Sequence, residues 1–146
     1  MAKTHDAPFE IGRRFVFRKT VGESDVYLFA GITGDFSPNH VDEEAMRGTR
    51  FGGRIAHGAM MVGYMSTGST LAAQAGHDTG FGTPASVGYD RVRFTAPVMI
   101  GDTVEVAYTL IAYDPERRRT RAKVEITNQR GETVAVAEHI MAWLLD

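Results

Sequence analysis

Residues Ile55 to Gly76 contain no Asp, Glu, Lys or Arg. A stretch that long without charge is buried, either in lipid or inside a folded domain. Its composition decides between the two. It holds His57, Gln74, four Gly and four Ser or Thr, whereas a lipid-facing span is dominated by Leu, Ile and Val. A long helix from His57 to about Ala75, enclosed by the rest of a folded domain, is expected. Met60, Met61, Tyr64, Met65 and Leu71 are its apolar positions.

An enclosed helix needs something to enclose it, and the second half of the chain supplies strands. Val87 to Phe94 is the first and stops before Pro97. Gly101-Asp102 turns the chain into Thr103 to Tyr113, and Asp114-Pro115-Glu116 turns it again. From Arg121 to Thr127 the pattern alternates, with Ala122, Val124 and Ile126 on one face and Lys123, Glu125 and Thr127 on the other. Asn128 to Gly131 turns into the last strand, Thr133 to Leu145. Turns this short favour antiparallel hairpins. The last strand is apolar on both faces, through Val134, Val136, Ile140, Ala142 and Leu144 together with Met141 and Trp143. A second subunit is expected to cover part of the sheet, and a symmetric dimer is the default arrangement.

The first half is mixed. Residues 13–18 read as a strand, and Ser24-Asp25 as a helix start with Val26, Phe29 and Ala30 at helical spacing and Gly31 and Gly34 near its end. Pro38 argues against a regular helix around it, and Val41 to Met46 suits a short helical turn. Residues 1–12 read as an N-terminal arm without the apolar core of a signal peptide. The expectation is one α+β domain over residues 1–146, a long helix laid across a curved antiparallel sheet.

Composition excludes several functions. Sixteen Lys and Arg against eighteen Asp and Glu leave a net charge of −2, unlike a dedicated nucleic-acid binder. There is no Cys, so thiolate metal sites and Cys nucleophiles are out, and a reducing cytoplasm suits the chain. The basic run Arg117-Arg118-Arg119-Thr120-Arg121 falls at a hairpin and reads as a solvated tip, with a phosphate contact as the second reading. His5, His77 and His139 show no partner pattern.

Chemistry concentrates in two short elements. Asp35 and His40 lie five apart on a loop broken by Pro38. A carboxylate and an imidazole on one rigid loop can both reach a single water. Taken alone, the pair also fits a turn residue and a helix start. The second element is Gly53-Arg54-Ile55-Ala56-His57-Gly58, which opens the long helix. Free N–H groups and a partial positive charge gather at a helix N-terminus, and Gly58 lets an oxygen approach closely. Taken alone, Gly58 equally fits a tight start to the helix. Base, acid and oxyanion donor together form the set that adds water to an α,β-unsaturated carbonyl compound. No three-ligand metal cluster is evident.

The runs Ala30-Gly31-Ile32-Thr33-Gly34-Asp35-Phe36-Ser37-Pro38-Asn39-His40 and Ile55-Ala56-His57-Gly58, with the later Val92-Arg93-Phe94-Thr95-Ala96-Pro97-Val98-Met99-Ile100-Gly101-Asp102, resemble the MaoC-like family of (R)-specific enoyl-CoA hydratases. The resemblance runs from about Val16 to the C-terminus. It implies a hot-dog fold, a dimer with sites at the subunit interface, an acyl-CoA substrate and no cofactor beyond the CoA that the substrate carries. It implies Asp35 and His40 as the catalytic pair and Gly58 as the oxyanion donor. Ser66 falls where the family often has a Ser near the site, and Asn39 and His57 join it as substrate-binding candidates. Ser37 stands where Asn is usual and Asn39 where an aliphatic residue is usual. Two other readings stay open: a hot-dog thioesterase using one carboxylate, and a non-catalytic acyl-CoA-binding subunit.

Overall fold

In the computed structural model, residues 6–145 are described. Residues 1–5, the first part of the expected arm, lie outside them. The chain runs β1 (Arg14–Thr20), α1 (Glu23–Thr33), α2 (Pro38–Val41), α3 (Glu43–Arg47), α4 (Gly58–Gly76), β2 (Thr83–Phe94), β3 (Thr103–Asp114), β4 (Arg119–Asn128) and β5 (Thr133–Leu144). The strands form one antiparallel sheet in the order β1-β3-β4-β5-β2. α4 crosses the sheet and touches all five strands, the helix-in-sheet arrangement of a hot-dog fold. No helix among the described residues is long and apolar enough to cross a membrane.

The charge-free run is enclosed because the sheet needs it. Met60, Met61, Met65 and Ala72 of α4 are buried in one core with Val104, Val106, Tyr108 and Leu110 of β3, Val124 and Ile126 of β4, and Met141 and Trp143 of β5. Small residues let the helix sit this close. A Cβ at Gly76 would lie 2.4 Å from the Trp143 ring, and one at Gly68 3.2 Å from the Tyr108 Cβ. Larger side chains there would have to push helix and sheet apart.

Three local features differ from the sequence expectation. The arm is anchored at its end: Phe9 is 4 % exposed and packs edge-on against Phe15 and Trp143. Pro38 does not prevent a helix, because it occupies the first turn of α2, where its missing N–H costs nothing. The Arg117–Arg121 run is not a free tip. The Arg118 guanidinium donates to the main-chain oxygens of Phe81 and Trp143, and Arg121 pairs with Glu138 and Asp90.

The chain also buries a polar line under α4. His139 is fully enclosed, its Nε2 is 2.7 Å from Ser86 Oγ and its Nδ1 2.8 Å from the Tyr108 hydroxyl. Burial pushes its imidazole down from the ordinary 6.5 to about 4. The folded ring is neutral where an unfolded chain would bind a proton. Stability is therefore intact above pH 6.5 and is lost as pH falls toward 4. We expect urea unfolding to show a loss approaching about 3 kcal/mol between pH 7 and pH 4, and His139→Gln to remove most of that slope.

Candidate active site

The segment between α1 and α4 carries the functional groups, and its main chain is held without forming a strand or long helix. Gly34 ends α1 in the left-handed conformation, φ 79°, which glycine adopts without strain. That turn releases Asp35. Asp35 Oδ1 accepts from Ser37 N at 3.2 Å, an Asx turn, which leaves Oδ2 directed at His40. Further on, Ile55 N donates to Asn39 O at 2.9 Å and Ala56 N to Val98 O at 2.7 Å.

The imidazole of His40 is oriented by the same strap. Its Nδ1 lies 2.7 Å from Ile55 O. A carbonyl only accepts, so Nδ1 carries the proton and the neutral ring presents a lone pair at Nε2. That Nε2 stands 4.0 Å from Asp35 Oδ2, too far for a hydrogen bond between them and right for one water between two acceptors. A water about 2.8 Å from each would see them about 90° apart, close to the angle between its own O–H bonds. The His40 side chain is 11 % exposed and that of Asp35 52 %, so the pair meets solvent through its carboxylate.

His57 lies beneath. It is 1 % exposed, its Nε2 is 2.9 Å from Asp35 O, and its ring stacks on His40 with centroids 3.7 Å apart. Asp35, His40 and His57 thus form a three-residue cluster whose candidate ligand atoms lie within 4.8 Å of one another, a grouping not visible in the sequence. It is poorly shaped for a metal. An ion held by both rings must lie in both ring planes. Planes stacked at 3.7 Å and inclined by 26° meet well beyond a Zn–N distance of about 2.1 Å.

A cavity of about 320 Å³ opens beside this cluster, lined by His40, His57, Gly58, Met61, Phe94 and Val98 among others. Gly58 is the first residue of α4, so its N–H belongs to the first turn, where no intrahelical acceptor exists. Met60 is the first to bond back, to His57 O at 3.1 Å. The glycine is needed for a reason absent from the sequence reading: a Cβ there would sit 2.7 Å from the Phe94 ring. The structure therefore gathers Asp35, His40, His57 and Gly58. Asn39 and Ser66 do not line the cavity. Asn39 contributes its main-chain oxygen to the strap, and the Ser66 carbonyl accepts from Ser69 and Thr70 hydroxyls.

Two supports of the site carry no local sequence signal. Arg54 joins Glu23, Tyr27 and Glu43, tying α1 and α3 to the segment before α4. Asp102 accepts from Met99 N, Gln129 and Arg130. Burial raises the Asp102 carboxyl, and the bonds from Arg130 and Gln129 outweigh it and hold the group below its ordinary range. Phe94 gives a direct test of the packing at the helix start. Gly58→Ala is expected to cost about 1–3 kcal/mol in urea unfolding, and adding Phe94→Ala, which removes the obstructing ring, is expected to recover most of it.

Comparisons with known proteins place the chain in a family and support its fold. A family model described as "MaoC like domain" matches residues 6–134. The chain is 37 % identical over 108 residues to an (R)-specific enoyl-CoA hydratase of Rhodospirillum rubrum, covering 73 % of this chain and 69 % of that one. It is 40 % identical over 113 residues to a 3-hydroxybutyryl-CoA dehydratase of Methylorubrum extorquens, covering 77 % and 67 %. The solved structure of the R-hydratase PhaJ1 from Pseudomonas aeruginosa superposes with a TM-score of 0.78 at 30 % identity, over 94 % of this chain and 84 % of that one. With its hot-dog fold and these matches, the chain belongs to the MaoC-like domain family.

Proposed function

We propose that the protein reversibly hydrates a trans-2-enoyl thioester, with CoA as the carrier, to the (3R)-hydroxyacyl thioester. The observation that carries this reading is the pair of acceptors, Asp35 Oδ2 and His40 Nε2, 4.0 Å apart beside the free N–H of Gly58. Two acceptors orient both protons of one water and leave its lone pairs for the substrate. As the water oxygen bonds to the β-carbon, Asp35 takes one of its protons. The electrons of the C=C bond move to the thioester oxygen, where the enolate accepts the Gly58 N–H. The proton that Asp35 took passes to His40 Nε2 and from there to the α-carbon, which completes the addition and returns both groups to their starting protonation. Protons taken and given balance, so the reaction requires no metal or redox cofactor. The reverse direction eliminates water from the hydroxyacyl thioester.

The reading includes a homodimer in the cytoplasm. Val87 and Phe94 on the edge strand β2 are about half exposed, a surface suited to a second copy. Sedimentation equilibrium is expected to give twice the chain mass.

The activity is tested by the loss of enoyl-thioester absorbance with crotonyl-CoA and a longer trans-2-enoyl-CoA, with free thiol measured alongside. Absorbance loss without thiol is expected; thiol release would mark a thioesterase. Asp35→Asn and His40→Asn are each expected to lower kcat by roughly 10²–10⁴-fold. Asn at position 40 can place its amide nitrogen where Nδ1 was, so the bond to Ile55 O survives while the Nε2 acceptor is lost.

A further inference from the structure

His57 makes contacts that a substrate-binding residue would not need. Its ring stacks on that of His40 of α2 at a centroid distance of 3.7 Å and meets the ring of Phe29 of α1 at a tilt, at 4.8 Å. Its Nε2 faces the main-chain oxygen of Asp35 at 2.9 Å. It immediately precedes Gly58, the first residue of α4. One side chain thus touches the carrier of the carboxylate and the partner imidazole, and its own backbone leads into the oxyanion donor.

The protonation of the ring follows from its partners. Asp35 O can only accept, so Nε2 carries the hydrogen. Nδ1 is buried and has no hydrogen-bond partner among the described residues. A second proton there would be a buried, unpaired donor on a cation, which is costly. The ring is therefore a neutral Nε2–H imidazole, a donor to the backbone with no proton to exchange.

We propose that His57 is a positioning residue for the hydration reaction: it holds the Asp35 main chain by its Nε2–H and the His40 ring by stacking, and fixes both relative to the Gly58 N–H. This rests on the functional reading above. Its weight comes from geometry, because a displacement of about 1 Å in such a constellation can cost about 10²-fold in rate. A neutral ring under His40 also lets His40 become charged during the cycle without facing a second cation.

The test uses three variants of the full chain. Gln extends an amide nitrogen about as far as Nε2, Asn only about as far as Nδ1, and Leu offers none. With crotonyl-CoA, His57→Gln is expected to keep kcat within about fivefold of the parent, while His57→Asn and His57→Leu lose about 10–100-fold, all with KM within about threefold. A role in packing alone would make kcat follow thermal stability across the three instead of following the donor. Equal kcat for the Gln and Asn variants, or a rise in KM with kcat unchanged, overturns the proposal. Long-range ¹H–¹⁵N NMR of the unsubstituted protein at pH 7 tests the geometry without any activity. An Nε2–H tautomer at His57 is expected, and an Nδ1–H tautomer or an imidazolium overturns it. A parent protein that hydrates no enoyl thioester but shows the expected tautomer would count against the functional reading and leave the assigned geometry standing.

Discussion

The peptide groups of Ile55 spend both of their polar atoms on α2. Its N–H goes to Asn39 O, and its C=O takes the proton of His40 Nδ1. This exchange is what turns an irregular loop into a rigid site. It fixes the tautomer of His40, sets the direction of Nε2, and ties the segment preceding the long helix to the segment carrying Asp35. The next residue, Ala56, bonds to Val98 O, and Ile55 bridges to Met99. The strap is thereby attached to the loop that joins β2 and β3. A buried backbone group left unpaired is costly, so each of these bonds resists slippage of the others.

Charged groups finish the support from outside. Arg54 reaches α1 and α3 at once, and isolated surface pairs of this kind contribute little. Here the guanidinium is nearly enclosed and meets two carboxylates and a phenol. Its effect is to fix where α1 and α3 lie relative to Ile55. Asp102 does the same beneath the strap. It holds Met99 N and is itself held by Arg130 and Gln129 of the β4–β5 turn. The loop carrying Asp35 and His40 thus rests on the sheet through residues remote from it in sequence.

That remoteness separates what the sequence discloses from what it hides. The long helix was legible because charge is absent over a whole stretch, and the strands because β4 alternates with period two. Asp35, His40 and Gly58 could be put forward from the sequence because their chemistry is local: a loop acid and base, and a helix start. The supports were not. Arg118 looked like part of a solvated tip, yet it reaches Phe81 and Trp143. His139 showed no partner because Ser86 and Tyr108 lie on two other strands. The Asp35–His40–His57 cluster needs α4 to return beside the loop before α2. Asn39 fails to line the cavity for the converse reason: closeness along the chain to His40 does not place its side chain on the same side. Pro38 shows the limit of a composition rule. The residue that breaks a helix interior is well suited to its first turn.

The location of the chemistry follows from hydrogen-bond accounting. Asp35 Oδ1 is taken by Ser37 N, Asp35 O by His57, His40 Nδ1 by Ile55 O, and the Ile55 N–H by Asn39 O. What stays unspent around the cluster is Asp35 Oδ2, His40 Nε2, the buried Nδ1 of His57 and the first N–H of α4. Of these, the acceptors Asp35 Oδ2 and His40 Nε2 stand 4.0 Å apart, and His40 and Gly58 line the cavity. An acceptor pair calls for something with two protons to give, and a lone donor calls for an oxygen that gains negative charge. The addition of water to an unsaturated thioester supplies both. The atoms proposed to react are among those which the packing of the loop leaves without a partner, and the rigidity of every neighbour is what keeps them so.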